Sequence, residues 1–258
     1  MGEEMTGGRF SSPVRQGDTV ERRLTPASPN VHALLRHFER VGFTLAPRIL
    51  GTTADGTREV LSFIEGETGY PPLSDAHRSD DALVEVARAI RAMHDATQGF
   101  VPAEPNAWHD QEVAAPVRTD CIGHHDLAPW NIVFDGSRVV GILDWDSIRP
   151  SNRVWDLSYA AHQFVPLHPP ASLAPFGWND EPDRAARLRL FSGTYGLRVT
   201  PAEILDLAVL RLASIAAHIE QEVRAGNPDF EVHRQEDHGS GYRTAARFIL
   251  DNRTALLA

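Results

Sequence analysis

The chain has 258 residues, of which 42% are hydrophobic, so it is long enough for one large domain or for two lobes that share a cleft. Its net charge of -10 argues against a nucleic-acid partner, because proteins that bind duplexes carry a basic surface. There is no apolar run of about 18 residues, which argues against a membrane span. An acidic N-terminus and a single cysteine, Cys121, favour a cytoplasmic protein.

The first part of the chain has the pattern of short strands and one helix. A hairpin is predicted over 14–22, where a Gly-Asp turn separates two short strand patterns. Ser28 as N-cap and Pro29 at the first helical position predict a helix, which Gly42 ends. A second hairpin is predicted across Asp55-Gly56, a pair that is typical of tight turns.

The later part of the chain has mainly helical patterns. Glycines and prolines over 65–75 indicate a linker, and a helix with one apolar stripe follows Ser79. Two short apolar strands then flank a turn at Asp135-Gly136-Ser137. A capping box with proline at the first helical position starts a long helix at Thr200, and a last helix is predicted over 242–256.

This order of elements predicts an α+β fold of two lobes. Residues 1–65 would form a small antiparallel-sheet lobe with one helix, and residues 66–258 a larger, mainly helical lobe with an embedded hairpin. A cleft between two such lobes is a natural ligand site.

Three polar residues around the embedded hairpin indicate chemistry. Asp126 lies in a polar stretch before the first strand, Asn131 begins that strand, and Asp144 follows the second. Folding the hairpin brings Asn131 and Asp144 to the same end, and such hard oxygen ligands suit Mg²⁺. Phosphoryl transfer needs a carboxylate that orients the attacking hydroxyl and metal ions that bridge the phosphates of the nucleotide. Asp126 fits the first role, and Asn131 with Asp144 fits the second.

The same segment resembles the aminoglycoside phosphotransferase family, whose members share the protein-kinase-like fold. His124-x-Asp126-Leu127-x-x-x-Asn131 is similar to the family's catalytic loop, and Ile142-Leu143-Asp144-Trp145-Asp146 to its metal-binding segment. Trp155-Asp156-Leu157 resembles the pair whose aspartate supports the loop, and Phe63-Ile64-Glu65-Gly66 resembles the nucleotide-binding hinge.

The resemblance implies an ATP- or GTP-dependent phosphotransferase that acts on a hydroxyl of a small molecule such as an aminoglycoside, an amino alcohol or a sugar. Asp126 would be the catalytic base, and Asn131 and Asp144 would bind Mg²⁺. Glu65 in the hinge would contact a ribose or the substrate, although a solvated carboxylate is an equally good interpretation of this residue.

The small lobe departs from the family pattern. The family holds the nucleotide phosphates with a lysine on the third strand, paired with a glutamate on the following helix, but all 25 basic residues here are arginine. Arg22 or Arg23 occupies that neighbourhood, and Arg22, which shares strand parity with Val20, is the preferred phosphate contact. No glutamate lies early in the helix, which has His32 and His37 instead. His125 replaces the usual glycine of the catalytic loop. Thr6-Gly7-Gly8-Arg9 could be the loop that covers the phosphates, but a single Gly-Gly pair is more typical of a flexible turn.

Two alternatives to an active kinase remain open. The missing lysine and its missing glutamate partner favour a catalytically impaired pseudokinase that binds or regulates. A metal-dependent hydrolase built on the same carboxylates has less support, because it would have to release phosphate without an acceptor.

Overall fold

The computed structural model describes residues 3–4, 13–108 and 118–258. The candidate phosphate-covering segment Thr6-Gly7-Gly8-Arg9 lies outside these residues. Within them, the first sheet is antiparallel with the strand order β1-β2-β3-β5-β4. Its strands are β1 (Glu3–Glu4), β2 (Val14–Gln16), β3 (Thr19–Arg23), β4 (Ile49–Thr52) and β5 (Arg58–Ser62), and the helix α1 (Ser28–Val41) connects β3 with β4.

Strand β5 lies between β3 and β4, so a non-local pairing holds the middle of this sheet. Arg22 on β3 stands directly opposite Glu59 on β5. Glu59 and Leu61 are the buried positions of β5, as expected for alternate residues on one face of a strand. The sheet therefore buries a facing arginine and glutamate next to its apolar residues.

Both predicted hairpins of the first sheet are present. Gly17 and Gly56 occupy their turns in the left-handed region, at φ 62° and 68°, where glycine carries no steric penalty. Gly42 ends α1 as predicted, at φ 77°. The predicted N-cap was wrong by one residue: Ala27 precedes the helix and Ser28 is its first residue, because the Ser28 hydroxyl accepts a hydrogen bond from the Thr25 amide instead.

The second half of the chain combines two small sheets with helices. The predicted hairpin is formed by β8 (Ile132–Asp135) and β9 (Arg138–Ile142), and β6 (Glu67–Thr68), inside the predicted linker, pairs with β8. A separate pair joins β7 (Cys121–Gly123) to β10 (Arg149–Ser151). The division of the chain into lobes at 65/66 stays a prediction.

The helices that surround these strands range from 4 to 25 residues, and several of them have side-chain caps. The Ser79 hydroxyl caps α3, and both hydrogen bonds of the predicted capping box are present at Thr200 and Glu203. The predicted last helix starts earlier than expected, at His238, and is interrupted at Asn252. The helices are α2 (Asp75–Arg78), α3 (Asp80–Ala96), α4 (Arg153–Phe164), α5 (Arg184–Tyr195), α6 (Pro201–Ala225), α7 (Glu231–Gln235), α8 (His238–Asp251) and α9 (Arg253–Leu256).

The end of the hairpin in the second half, with the segment after it, contacts α1 and the loop that follows α1. The Ile142 amide donates to the Leu45 carbonyl at 2.6 Å, and the Phe38 ring of α1 lies 5.1 Å from the buried Trp145 ring, edge to face. These contacts bring the end of β9 close to the first sheet. Among the described residues, no helix combines the length and the apolar character needed to cross a membrane.

Candidate active site

The segment after β7 is fixed by one buried carboxylate. Asp156, on the first turn of α4, accepts the backbone amides of His124 at 2.8 Å and of His125 at 2.7 Å. The His125 carbonyl in turn accepts from the Arg211 guanidinium at 2.6 Å. Because both backbone groups of His125 are bound, the loop holds this residue at φ 66°, a left-handed conformation that explains why glycine is usual here.

Asp156 is itself held by side chains from two other helices. It is completely buried, lies 3.1 Å from the His94 ring of α3, and has the Arg211 guanidinium of α6 at 3.9 Å. Burial favours the neutral acid, but the His94 hydrogen bond and the nearby His125 and Arg211 outweigh it and hold the pKa of Asp156 far below its ordinary value. Three helices thus meet at the carboxylate that shapes the loop.

Asp126 and Asn131 are in direct contact. The Asn131 side-chain amide donates to the Asp126 carboxylate and to its backbone carbonyl, both at 2.8 Å. Asp126 is half-buried. Burial, followed by the charge of Asp144, raises the pKa of Asp126 to about 7, although the Asn131 hydrogen bond opposes the shift. A carboxyl with this pKa can accept a proton near neutral pH.

The β8–β9 hairpin brings Asp144 to the same place. The Leu143 amide donates to the Asn131 carbonyl at 2.8 Å, and the Leu143 carbonyl lies 2.8 Å from the His124 ring. Asp144 follows at φ 60° and leaves the strand there. The structure therefore brings together Asp126, Asn131 and Asp144, and a fourth of the five residues predicted for the site, Arg22, contacts Asp144.

The chemistry of this donor set suits a magnesium ion. A carboxylate at Asp144 and an amide oxygen at Asn131 are hard ligands, and two protein ligands leave most of an octahedral shell for water and phosphate. The side chain of Asp144 is 36% exposed, so its oxygens can be reached from solvent. Among the described residues there is no group of three or more histidines, cysteines or acids arranged to hold a metal on its own.

Arg22 reaches the same carboxylates from the first sheet. One terminal nitrogen of its guanidinium lies 3.3 Å from Asp144, and the other donates to Asp146 at 2.7 Å. Burial lowers the pKa of Arg22, but Asp146, Glu59 and Asp144 together raise it above its ordinary value. For Asp146, burial has the largest effect and raises the pKa to about 6, although Arg22 opposes it.

Glu59 and His32 belong to this cluster and have no role in the sequence-based prediction. The Arg22 Nε–H donates to one carboxylate oxygen of Glu59, and the His32 ring contacts the other. Burial would raise the pKa of Glu59, but the contacts with His32 and Arg22 lower it overall. A signal was available in the sequence: Glu59 shares strand parity with the apolar Leu61, and a carboxylate on a buried face needs a cationic partner.

Glu65 lies apart from these contacts. Its side chain is 78% exposed and accepts from Arg15 of β2 at 2.8 Å. The Arg15 guanidinium also lies 3.5 Å above the Phe63 ring. Its role at a nucleotide therefore stays a prediction, and the described contacts place Glu65 in a surface ion pair.

Comparison with known proteins identifies the family. A family model described as "Phosphotransferase enzyme family" matches residues 103–190, a range that includes Asp126, Asn131 and Asp144. The trifolitoxin immunity protein of Rhizobium leguminosarum bv. trifolii is 35% identical over 197 residues, which cover 75% of this chain and 73% of that protein.

Solved structures confirm the predicted fold class. A choline/ethanolamine kinase family protein from Mesorhizobium loti superposes with a TM-score of 0.65 at 16% identity, covering 100% of this chain and 92% of that one. The GDP and kanamycin complex of APH(2")-IIia superposes with a TM-score of 0.57 at 12% identity, covering 98% and 94%. At these identities the likeness establishes the two-lobe, protein-kinase-like fold alone.

Proposed function

The chain belongs to the phosphotransferase enzyme family, and on that premise we propose that it transfers the terminal phosphoryl group of a nucleoside triphosphate to a hydroxyl of a small molecule. One observation carries the proposal. Asp126, Asn131 and Asp144 meet at the end of the β8–β9 hairpin, with the Asn131 amide 2.8 Å from the Asp126 carboxylate. This is the set that phosphoryl transfer requires, a base beside hard oxygen ligands.

Asp126 is the base in this proposal. The acceptor's hydroxyl would donate to its carboxylate, which orients the oxygen for attack and takes its proton. As the new bond to the terminal phosphorus forms, the bond from that phosphorus to the bridging oxygen breaks and the nucleoside diphosphate leaves. Burial and Asp144 hold the pKa of Asp126 at about 7, so the carboxylate accepts a proton more readily than an exposed aspartate would. The Asn131 hydrogen bond fixes the carboxylate in one orientation.

Asn131 and Asp144 would hold Mg²⁺. When bound, Mg²⁺ neutralises charge on the donor's phosphate oxygens. The side chain of Asp144 is partly exposed, so the cation can reach its oxygens from solvent. The amide nitrogen of Asn131 is bound to Asp126, so its amide oxygen is the atom that can bind the cation.

Two further residues are assigned to the nucleotide. The terminal nitrogens of Arg22 would bind the phosphates in place of the carboxylates, and guanidinium groups bind phosphate oxygens through paired hydrogen bonds. Glu65 would leave Arg15 and contact the ribose. The donor is ATP or GTP, and we place the protein in the cytosol, where both occur and where a single thiol stays reduced.

Turnover assays test the proposal directly. The purified protein would be incubated with Mg·ATP or Mg·GTP and with choline, ethanolamine, kanamycin or simple sugars, and phosphorylated acceptor would be measured by mass spectrometry. We expect Asp126→Ala and Asp144→Ala each to lower the rate by about a hundredfold or more. Asp135→Ala, on the exposed hairpin turn, is the matched control and should leave the rate unchanged. Product formation that survives both active-site substitutions contradicts the proposal.

The similarity to the trifolitoxin immunity protein favours a second candidate function, protection of a cell against a toxin. Expression in a trifolitoxin-sensitive strain would test it by comparing survival with and without the gene. If the Asp126→Ala variant still protects, protection occurs by binding, as the pseudokinase alternative would have it. If protection disappears together with turnover, the toxin or a component that it acts on is the acceptor.

A further inference from the structure

Arg22 is held on every edge of its guanidinium. Its Nε–H donates to Glu59, one terminal nitrogen lies 3.3 Å from Asp144, and the other lies 2.7 Å from Asp146. Only 7% of the residue is exposed. The side chain therefore has one orientation, in which its inner edge faces the first sheet and its two terminal nitrogens face the Asp144 end of the hairpin.

Glu59 connects this arginine to a helix. One of its carboxylate oxygens accepts from Arg22, and the other contacts the Nε2 atom of His32, in the first turns of α1. Glu59 has no exposed surface and His32 is half-buried. Loss of either contact would therefore leave a buried carboxylate oxygen without a hydrogen bond from water, which costs free energy. Two elements, β5 and α1, thus fix the position of a residue on β3.

We propose that Glu59 and His32 are positioning residues for the donor nucleotide, a role that rests on the function proposed above. Glu59 binds the Nε–H of Arg22 and so keeps the two terminal nitrogens directed to the place where the phosphates would meet Asp144. His32 holds Glu59 in position through the other carboxylate oxygen. The carboxylate that the family pattern places on the helix stands here on the neighbouring strand, and the helix contributes an imidazole instead.

The charges of the cluster explain why this anchoring matters. Asp144 and Asp146 attract the Arg22 guanidinium from one side, and Glu59 attracts it from the other. Without Glu59, the guanidinium is held by Asp144 and Asp146 alone and can change its orientation. The phosphates then bind an arginine that is no longer held in position. The affinity for the nucleotide falls as a result, whereas the base Asp126 and its contact with Asn131 are untouched.

Calorimetric titration with Mg·AMP-PNP and Mg·GMP-PNP tests this role. We expect Glu59→Gln to raise the nucleotide Kd about ten- to a hundredfold, as for the loss of a charge-assisted hydrogen bond, and His32→Ala about three- to tenfold. His37→Ala is the matched control on the same helix. The His37 ring forms a hydrogen bond with the Ala96 carbonyl, at 2.8 Å, and packs against Phe100, and its loss should change Kd by less than about twofold.

A double variant that moves the carboxylate from the strand to the helix tests the same role by a gain in affinity. The double variant His32→Glu with Glu59→Gln moves the acid to the helix, and we expect it to bind nucleotide several-fold more tightly than Glu59→Gln alone. In turnover, KM for the donor should rise in Glu59→Gln while kcat at saturating donor changes by less than about threefold, a split that a loss of folding would not produce.

The outcomes separate the inference from the proposed function. Wild-type protein that binds neither analogue contradicts the function and, with it, the premise of this role. Wild-type binding that persists unchanged in Glu59→Gln and His32→Ala, or that His37→Ala weakens as much, overturns the positioning role alone. If Glu59→Gln does not fold by circular dichroism, the comparison of His32→Ala with His32→Gln decides, since glutamine can donate to Glu59 and should restore most of the affinity.

Discussion

Asp126, the proposed base, is expected to reduce the stability of the ligand-free protein. Burial and Asp144 raise its pKa from 3.8 to about 7. Below pH 3.8, the carboxyl is protonated in both the folded and the unfolded chain and has no net effect. As pH rises to 7, the unfolded chain ionises while the folded one does not, so the folding free energy becomes less favourable by an amount that is complete above pH 7.

The size of the effect follows from the two pKa values. A difference of about three pH units corresponds to about 4 kcal/mol, at about 1.4 kcal/mol for each unit. Asp126 is only half-buried and water screens part of its charge. We therefore expect the neutral variant Asp126→Asn to be more stable than the wild type by about 1–3 kcal/mol at pH 8 and by much less at pH 4.5. Its amide oxygen can still accept the Asn131 hydrogen bond.

Urea denaturation followed by tryptophan fluorescence, at pH 4.5 and pH 8 without nucleotide or Mg²⁺, measures this difference. Asp135→Asn is the control, since this carboxylate is 68% exposed on the hairpin turn and should change stability by less than about 0.5 kcal/mol at either pH. A stability difference for Asp126→Asn that is absent, negative, or equal at the two pH values would refute the reasoning.

Three further substitutions test the framework around the site. Asp156→Ala leaves two buried loop amides without their acceptor, and we expect the free energy of unfolding to fall by about 3–5 kcal/mol in chemical denaturation. A fall below about 1 kcal/mol would contradict the conclusion that Asp156 holds the loop in place. Gly66→Ala places a methyl 2.6 Å from the Phe134 carbonyl at φ 142°, so it should destabilise by about 2–4 kcal/mol, whereas Gly99→Ala, with open space around it, should cost about 1 kcal/mol. Thr200→Ala removes the capping bond to the Glu203 amide and should lower stability by about 1 kcal/mol; an unchanged thermal midpoint would show that tertiary packing alone sets the start of α6.

The features that were predictable from sequence are local ones. Asp55-Gly56 and the Thr200 capping box determine structure within a few residues, and both are present as predicted. The spacing from Asp126 to Asn131 and the short hairpin after it determine where Asp144 comes back, because two antiparallel strands joined by a tight turn have little freedom. Short-range patterns were therefore enough to bring together the residues that we propose as the base and the metal ligands.

The remaining parts depend on pairings between distant segments. The partner of Arg22 is Glu59 because β5 lies between β3 and β4, an order that no local pattern determines. The pairing of β7 with β10 joins short segments that carry little signal of their own. Even the start of α1 depended on a contact, since the Ser28 hydroxyl is used by the Thr25 amide and is not available as a cap.

The arginine proposed to contact the phosphates has a practical consequence for detecting this protein. The guanidinium of Arg22 stays protonated and is held by three carboxylates, so it is not a nucleophile as a lysine amine can be. Because the chain contains no lysine, lysine-directed probes would fail to label it even where it is abundant. Immobilised nucleotide, which depends on reversible binding rather than on an amine, is the appropriate means of capture.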